Sequence, residues 1–322
     1  VWNVGSQYDI AWTTSRQTPD SLSILLSLNE GTTFDYTVAR GLAGATPSYH
    51  WTVPNYPVST VRIKVVAYYG GEAGGYGKSD ENFTIKGAPY RYVSKSGANI
   101  FPYSIPAWAA TTIQSAVSAG EAGDTILVAG DTYNQTITVD APVYLYGGWN
   151  SAFTVRDPAT YVTKIQAGGS LVSFMNVAAG SCGIEGFTLK FGPGTFLAMP
   201  ANGTYGGAIL SYQSSPVIRN NIIDSCGVAP VLEFSGGGAI ACYGGTALIE
   251  GNRITNCFAQ SGGGIYLFET AAPIRGNRIS GSRPSVEFSG TKHGGGVYAL
   301  HSTAALEGNT LYRAWHAVQP SG

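Results

Sequence analysis

Three residues in the C-terminal half of the chain have side chains suited to acid–base chemistry: Glu233, Glu287 and His293. A glycoside hydrolase needs two or three carboxylates separated by roughly 5–9 Å. A lyase of acidic polysaccharides needs calcium held by carboxylates, together with an Arg or Lys base. The acids of this chain occur singly, and three glycines follow His293, which we expect to be an exposed loop residue. The pattern therefore favours a protein without catalytic activity and keeps an enzyme as the alternative.

Four tyrosines form a second candidate site, because exposed tyrosine rings bind sugars by stacking. They recur in pairs at equivalent positions of successive repeats: Tyr212 with Tyr243, and Tyr266 with Tyr298. Counting from the preceding glycine pair places Ile209 and Ile240 at the position of Tyr266. Aromatic residues stacked across strands are also common structural features of β-sheets. We favour this structural role, with the four tyrosines as the candidate ligand-binding residues.

The sequence gives little support for a metal or cofactor site. Asp80 and Glu81 are adjacent acids of the kind that binds calcium, but we interpret them as the solvated start of a strand. None of the four cysteines has the spacing of a zinc site. Cys226 and Cys257 each follow a repeat asparagine by five residues, so we expect them to stack on neighbouring turns. We favour a ladder of buried free thiols that continues into Ser282 over a disulfide between the two cysteines. The parallel Cβ vectors of stacked residues hold the Cβ atoms slightly too far apart for a disulfide.

All these candidates lie on or beside a repeat. A motif of the form Ile/Leu-x-Gly/Asn-Asn-x-Ile/Leu recurs around Asn221, Asn252, Asn277 and Asn309, at intervals of 31, 25 and 32 residues. A glycine pair accompanies each copy, and its second glycine recurs at Gly207, Gly238, Gly264 and Gly296. Because two motifs keep nearly the same spacing, the repeat reflects structure rather than biased composition.

A period this short accommodates two or three short strands and no helix of ordinary length. It predicts a parallel β-helix whose coils stack at about 4.8 Å. The four asparagines should form an inward ladder, and the residue before each should have φ > 0. Two positions before the asparagine the charges alternate along the repeats, which predicts ion pairs between neighbouring coils: Glu185, Arg219, Glu250, Arg275 and Glu307.

The repeats differ in length mainly between the asparagine and the next glycine pair. The longer inserts are residues 192–205, 227–236 and 282–294. Because they fall at the same place in each coil, they should stack on one face, which is often the binding surface of a solenoid. We expect this face to carry the three acid–base candidates together with Asp224, Arg283 and Lys292.

The paired Gly-Gly-Ala-Ile and x-x-x-Asn motifs resemble the repeats of the polymorphic outer-membrane protein family. They are also similar to related bacterial right-handed parallel β-helices of the pectate-lyase superfamily. The sequence departs from the outer-membrane family in using Ile or Leu where that family favours Phe before Asn. The resemblance covers roughly the last two-thirds of the chain and implies a fold more strongly than an activity.

Residues 1–87 show a different pattern, with short runs of alternating apolar and polar residues separated by Gly and Pro. This pattern predicts a β-sandwich. Segments such as Tyr49-x-Trp51-Thr52-Val53-Pro54 resemble the fibronectin-III or Ig-like modules of bacterial secreted proteins, where such modules act as spacers. Gly87-Ala88-Pro89 forms the linker, and residues 88–322 form the β-helix domain. Within that domain, Thr111-x-x-Gln114 resembles a capping box and predicts a short helix over 111–119 that covers the first coil.

The amino-acid composition narrows the range of possible functions. Charged residues are 11% of the chain and the net charge is −1, so nothing suggests a nucleic-acid surface. No apolar run is long enough to span a membrane. Together with the uniform repeats, these features favour an extracellular structural or adhesive protein of a bacterial surface that binds, if anything, a polysaccharide. A polysaccharide lyase or glycoside hydrolase acting through the insert face is the alternative.

The last repeat, from Leu306 to Val318, still matches the pattern, and no capping helix follows it. An uncapped end of a β-helix can template further stacking. We therefore expect either head-to-tail self-association, which builds a fibre, or a longer parent chain.

Overall fold

A computed structural model of the chain divides into two units, Val1–Ala88 and Pro89–Gly322. The structure describes residues 1–14, 17–54, 58–87, 89–177, 182–198, 202–228, 234–284, 293–314 and 318–321. Within these residues, no helix has the length and apolar character needed to cross a membrane.

The N-terminal unit is built from short, mostly antiparallel strands. They are β1 (Trp2–Asn3), β2 (Gln7–Ala11), β3 (Ser21–Ser27), β4 (Tyr36–Ala43), β5 (Ser48–Thr52), β6 (Val58–Tyr69), β7 (Glu72–Lys78) and β8 (Phe83–Lys86). A six-stranded sheet has the order β1-β8-β6-β3-β4, with β7 paired to β6, and β2 pairs with β5 in a second sheet. Trp2 of the larger sheet stacks on Tyr8 of the smaller one, with ring centroids 4.9 Å apart. The sandwich-like arrangement predicted from the alternating pattern is confirmed.

The second unit begins with β9 (Tyr90–Val93), a 3₁₀ helix (Pro106–Trp108) and helix α1 (Ile113–Ser118). Short strands then follow one another along the chain. They are β10 (Thr125–Ala129), β11 (Asp131–Tyr133), β12 (Ile137–Val139), β13 (Tyr144–Trp149), β14 (Thr163–Ile165), β15 (Val172–Met175), β16 (Gly183–Glu185), β17 (Phe187–Lys190), β18 (Thr195–Leu197), β19 (Gly203–Tyr205), β20 (Ile209–Tyr212), β21 (Val217–Arg219), β22 (Ile222–Asp224), β23 (Phe234–Gly236), β24 (Ile240–Tyr243), β25 (Leu248–Glu250), β26 (Arg253–Thr255), β27 (Phe258–Ala259), β28 (Ile265–Phe268), β29 (Ile274–Arg275), β30 (Arg278–Ser280), β31 (Arg283–Pro284), β32 (Val297–Leu300), β33 (Leu306–Glu307), β34 (Thr310–Tyr312) and β35 (Val318–Ser321).

These strands wind into a parallel β-helix with three long sheets, and each coil contributes one strand to each sheet. The first sheet has the order β33-β29-β25-β21-β16-β13-β10-β9, the second β11-β14-β17-β22-β26-β30-β34 and the third β12-β15-β20-β24-β28-β32-β35. Ile218, Ile249 and Ile274 occupy one inward column of the first sheet and are fully buried. Full burial of such a side chain contributes roughly 1.5–3 kcal/mol. The β-helix fold predicted from the repeat is confirmed.

Helix α1 covers the start of the β-helix, as predicted, but the capping residue differs from the expected one. Thr112, rather than Thr111, is the N-cap, and its hydroxyl accepts a hydrogen bond from the Ser115 amide at 3.1 Å. Gln114 instead pairs with the edge of β12, where its amide accepts from Thr138 N at 2.8 Å and donates to Thr138 O at 3.2 Å. The side-chain amide thus satisfies backbone groups that an open coil end would leave unpaired.

A buried ion pair, which the sequence patterns did not indicate, closes the same end. Arg91 of β9 and Asp124 lie 2.9 Å apart, with side chains only 2% and 6% exposed. The Arg91 guanidinium also donates to Ala119 O, at the end of α1. A buried pair of this kind needs further hydrogen bonds to offset the desolvation of both charges.

Shorter strands form on the inserts between the second and third sheets. β18 pairs antiparallel with β19, which pairs in parallel with β23, and β27 pairs with β31. Inserts of successive coils therefore stack on one face, as their common position predicts.

Candidate functional site

The asparagine ladder forms the corner between the first and second sheets. Oδ1 of Asn252 accepts from both the backbone N and Nδ2 of Asn221, at 3.0 and 3.1 Å. Nδ2 of Asn252 donates to Ile218 O at 2.8 Å, and the same pattern continues through Asn277 to Asn309. Asn221, Asn252 and Asn277 are each 1% exposed. The ladder therefore satisfies backbone groups that the tight corner would otherwise leave unpaired, and its role is structural.

The residue before each ladder asparagine has the left-handed backbone conformation that the motif predicts. Gly251, Gly276 and Gly308 have φ values of 64°, 60° and 62°, and Asn220 takes the same conformation with φ 53°. Glycine adopts this conformation without a steric cost, and asparagine adopts it more readily than most residues.

The register of the glycine motif differs from the one expected. Ile240 N donates to Gly264 O as Ile209 N donates to Ala239 O, so Gly264 occupies the position of an alanine in the earlier coils. The equivalent pairs begin at Gly206, Gly237, Gly262 and Gly294, at intervals of 31, 25 and 32 residues, which equal the asparagine intervals. In the corrected register Tyr266 aligns with Ala241 and Leu210, whereas Ile240 aligns with Ile265. The expected alignment of Tyr266 with Ile209 and Ile240 is therefore wrong.

Tyr266 and Tyr298 lie on the outer face of the third sheet but are not accessible to a ligand. They are 3% and 6% exposed, in a hydrophobic cluster covered by the insert strands. The ring of Tyr205, from β19, lies 5.8 Å from that of Tyr266, and burial raises the pKa of the Tyr266 hydroxyl. Because the rings pack against protein, they leave no face for a sugar.

Tyr212 and Tyr243 form a second column on the same sheet and are half-buried. Their ring centroids lie 5.0 Å apart, and that of Phe268 lies 5.3 Å from Tyr243, with interplanar angles of 19° and 17°. Sugar stacking needs an open ring face. Both faces of Tyr243 therefore contact another ring, which leaves neither face of this tyrosine open for a sugar.

His293 is packed rather than exposed. Its ring stacks on Tyr298 with centroids 4.9 Å apart, and its Nδ1 is buried with no hydrogen-bond partner among the described residues. The expectation of an exposed loop histidine is therefore wrong, because a backbone bridge to Ser261 places the ring beside Tyr298. The other two acid–base candidates, Glu233 and Glu287, lie outside the described residues, as does Lys292.

The four cysteines are buried free thiols. Burial raises the pKa of Cys182 to about 11 and that of Cys242 to about 12. Cys226, Cys257 and Ser282 are all 0% exposed, as expected for one inward ladder. Within the described part of the chain, the Ser282 hydroxyl has no hydrogen-bond partner, so a serine continues this thiol column with an unsatisfied polar group, which is unfavourable.

Polar side chains line a depression on the outer face of the second sheet. This depression of about 260 Å³ is lined by Lys190, Ile222, Asp224, Arg253, Thr255 and Asn256. Asp224 contacts Lys190 at 3.0 Å and accepts from Thr255 at 2.7 Å. Burial works to raise the pKa of Asp224, but these hydrogen bonds and the lysine charge outweigh it and lower the pKa. Asp224 therefore belongs to strand β22 of this sheet and not to the insert face on which it was expected.

Among the described residues, no group of three His, Cys, Asp or Glu side chains could hold a metal ion. Asp80 and Glu81 are exposed immediately before β8.

Residues 207–319 match the family model described as a right-handed β-helix region. This match agrees with the parallel coils and assigns their hand. No curated protein and no solved structure matches the chain.

Proposed function

We propose that the protein is a structural or adhesive protein of the bacterial exterior, in which the β-helix acts as a rigid support. The observation that carries this proposal is the packing on the outer face of the third sheet. The insert strands bury Tyr266 and Tyr298, and the remaining aromatic column is occupied by mutual stacking. Among the described residues, side chains of the chain itself therefore cover the outer face of the third sheet beside the inserts.

Two further features support an extracellular, non-catalytic role. The charged fraction of 11% is low, and the N-terminal unit is a small β-sandwich of the kind that acts as a spacer. The resemblance of the repeats to the polymorphic outer-membrane family and the pectate-lyase superfamily, and of the sandwich to fibronectin-III modules, also forms part of this proposal.

The alternative is a polysaccharide lyase or hydrolase that acts through the inserts. One observation favours it: Nδ1 of His293 is buried without a partner in the described ranges, and buried polar groups are usually hydrogen bonded. The insert sequences also include the acids Glu233 and Glu287.

An activity screen separates the two functions. The intact chain is incubated with a panel of acidic and neutral polysaccharides, and unsaturated and reducing products are measured. We expect no turnover above that of a Glu233→Gln/Glu287→Gln/His293→Ala variant. The matched control replaces two exposed acids of the sandwich, as Glu72→Gln/Glu81→Gln. Turnover that is lost in the triple variant and kept in the control would establish the enzyme and overturn the structural proposal.

A further inference from the structure

We propose that the outer face of the second sheet binds a carboxylate-bearing acidic polysaccharide, and that Arg253 and Arg278 are its principal contacts. The proposal concerns a different face from the tyrosines and the inserts. It holds independently of whether the protein is a structural protein or an enzyme.

The two arginines form an uncompensated pair of like charges. Arg253 of β26 is directly opposite Arg278 of β30 in the parallel register, so their backbones are about 4.8 Å apart. Both side chains are exposed. Within the part of the chain that the structure describes, neither guanidinium makes an ion pair or a hydrogen bond, whereas like charges placed directly opposite one another destabilise a sheet.

Cationic side chains extend beyond this pair along the same face. Lys164 lies further back in the same outward column, which runs through Thr188 and Ile222 to the two arginines. Arg313 is exposed at the other end and lies over the ring of Tyr312. This face is therefore positive, although the chain as a whole has a net charge of −1.

The two described acids of this sheet do not neutralise the arginines, because their partners lie elsewhere: Asp131, at the far end in β11, pairs with Lys95 at 3.3 Å. Asp224 forms its ion pair with Lys190 and accepts hydrogen bonds from Thr255 and Asn256. Burial of Asp224 raises its pKa, but these contacts outweigh that effect and lower the pKa. The depression beside Arg253 consequently combines a satisfied carboxylate with a free guanidinium and exposed polar groups.

These features fit a uronic acid polymer better than a nucleic acid. A guanidinium binds a carboxylate with two parallel hydrogen bonds, and one such group on each of two adjacent coils suits an anion that repeats along a chain. Thr255 and Ser280 supply neighbouring hydroxyls that can pair with sugar hydroxyls. Single-stranded nucleic acids usually require aromatic platforms for base stacking, and the outward strand positions from Lys164 to Arg278 carry no aromatic residue. One exposed ring, Phe191, lies in the corner that follows β17.

Titration of the intact chain with defined polymers tests the proposal. An oligogalacturonate is the primary probe, with dextran sulfate, neutral dextran and single-stranded DNA as comparisons, each at low salt and at about 0.15 M ionic strength. The test variant is Arg253→Gln/Arg278→Gln. The matched control is Arg275→Gln/Arg283→Gln, which removes the same charge from the coil of Arg278 on other faces.

We expect the oligogalacturonate to bind and its affinity to fall as salt rises. Loss of two charge-assisted contacts should weaken the affinity of the test variant for oligogalacturonate about tenfold or more. The affinity of the control variant should stay within about twofold of that of the parent. Four results would each overturn the proposal: no binding of oligogalacturonate, equal losses in the two double variants, binding of dextran sulfate without oligogalacturonate, or tighter binding of DNA.

Discussion

Two columns of stacked, outward-facing residues flank the asparagine ladder, and they differ in how their charges are arranged. Two positions before the asparagine, on the first sheet, acids and arginines alternate and form ion pairs. Arg219 lies 3.0 Å from Glu185 and 3.8 Å from Glu250, and Arg275 lies 3.2 Å from Glu307. One position after the asparagine, on the second sheet, Arg253 and Arg278 are neighbours without an acid between them.

The contrast is informative because both columns have the same backbone environment. Each runs along a flat parallel sheet, and the same buried ladder fixes the register of both. Geometry therefore cannot explain why the charges alternate in one column and are positive in the other. The alternating column stabilises the stacking of the coils, whereas the arginine pair opposes it slightly, which is why we assign the second column to ligand binding.

The largest effect is expected when the ladder that aligns both columns is broken. Asn252→Ala removes the acceptor of Asn221 N and Nδ2 and the donor to Ile218 O, all at a buried corner. Unsatisfied buried groups should lower the free energy of unfolding by about 3 kcal/mol or more. Chemical unfolding followed by far-UV circular dichroism measures this loss.

The control is Asn309→Ala, at a half-exposed position where water can replace the lost contacts. Asn309→Ala should lower the free energy of unfolding by less than half as much as Asn252→Ala. Equal losses in the two variants would show that the ladder does not act through buried hydrogen bonds.

A smaller effect is expected in the alternating column. Glu185 is 14% exposed and pairs with both Arg156 and Arg219 at 3.0 Å. Glu185→Gln should reduce stability by about 1–2 kcal/mol, because two partly buried guanidinium groups lose their charged partner. Glu307→Gln, in the same column but with a pair that is largely exposed, should change stability by no more than about 0.3 kcal/mol. Thermal unfolding of the two variants compares the two sites, and a larger loss for Glu307 would contradict this account.

The lowered pKa of Asp224 predicts that the stability of the protein depends on pH. The folded-state pKa of Asp224 is lowered from 3.8, so its contribution is fully present above that value and is lost as pH falls through the folded-state pKa. Asp224→Asn should be less stable than the parent by roughly 0.5–1 kcal/mol at neutral pH, since solvent screens the pair. The difference in melting temperature should shrink only below about pH 4. A difference that is independent of pH would exclude an ionic origin.

The smallest effect is expected from the repulsion between Arg253 and Arg278, which should lower the stability of the folded protein slightly. Arg278→Glu creates on the second sheet the alternation present on the first, and it should raise stability by about 0.3 kcal/mol. Arg278→Gln, which removes the repulsion without adding attraction, should lie between the parent and this variant. Differential scanning calorimetry at low salt ranks the stabilities of the three proteins. A lower stability of Arg278→Glu than of the parent would show that the two arginines do not repel one another measurably.

Much of the β-helix was predictable because its repeat is local and short. The asparagine fixes one buried corner, the preceding residue fixes a positive φ, and the apolar residues on either side fix the inward columns. The glycine motif was less reliable. Three glycines precede Ile265 and Val297, so the sequence alone allowed two alignments that differ by one residue. A shift of one residue moves each side chain to the other face of the sheet, which is how Tyr266 was aligned with the wrong residues.

The sequence alone determined the number of motifs, the inward asparagines and the alternation of charges, because these depend on contacts between identical positions of adjacent coils. Only the tertiary structure decided which outer surfaces are open. The burial of Tyr266 and Tyr298 depends on inserts that fold back over the third sheet, and the packing of His293 depends on the same inserts. The exposure of Arg253 and Arg278 depends on the second sheet remaining uncovered at those positions. The physical reason is that stacking in register is encoded residue by residue, whereas covering a surface requires contacts between segments with no common pattern.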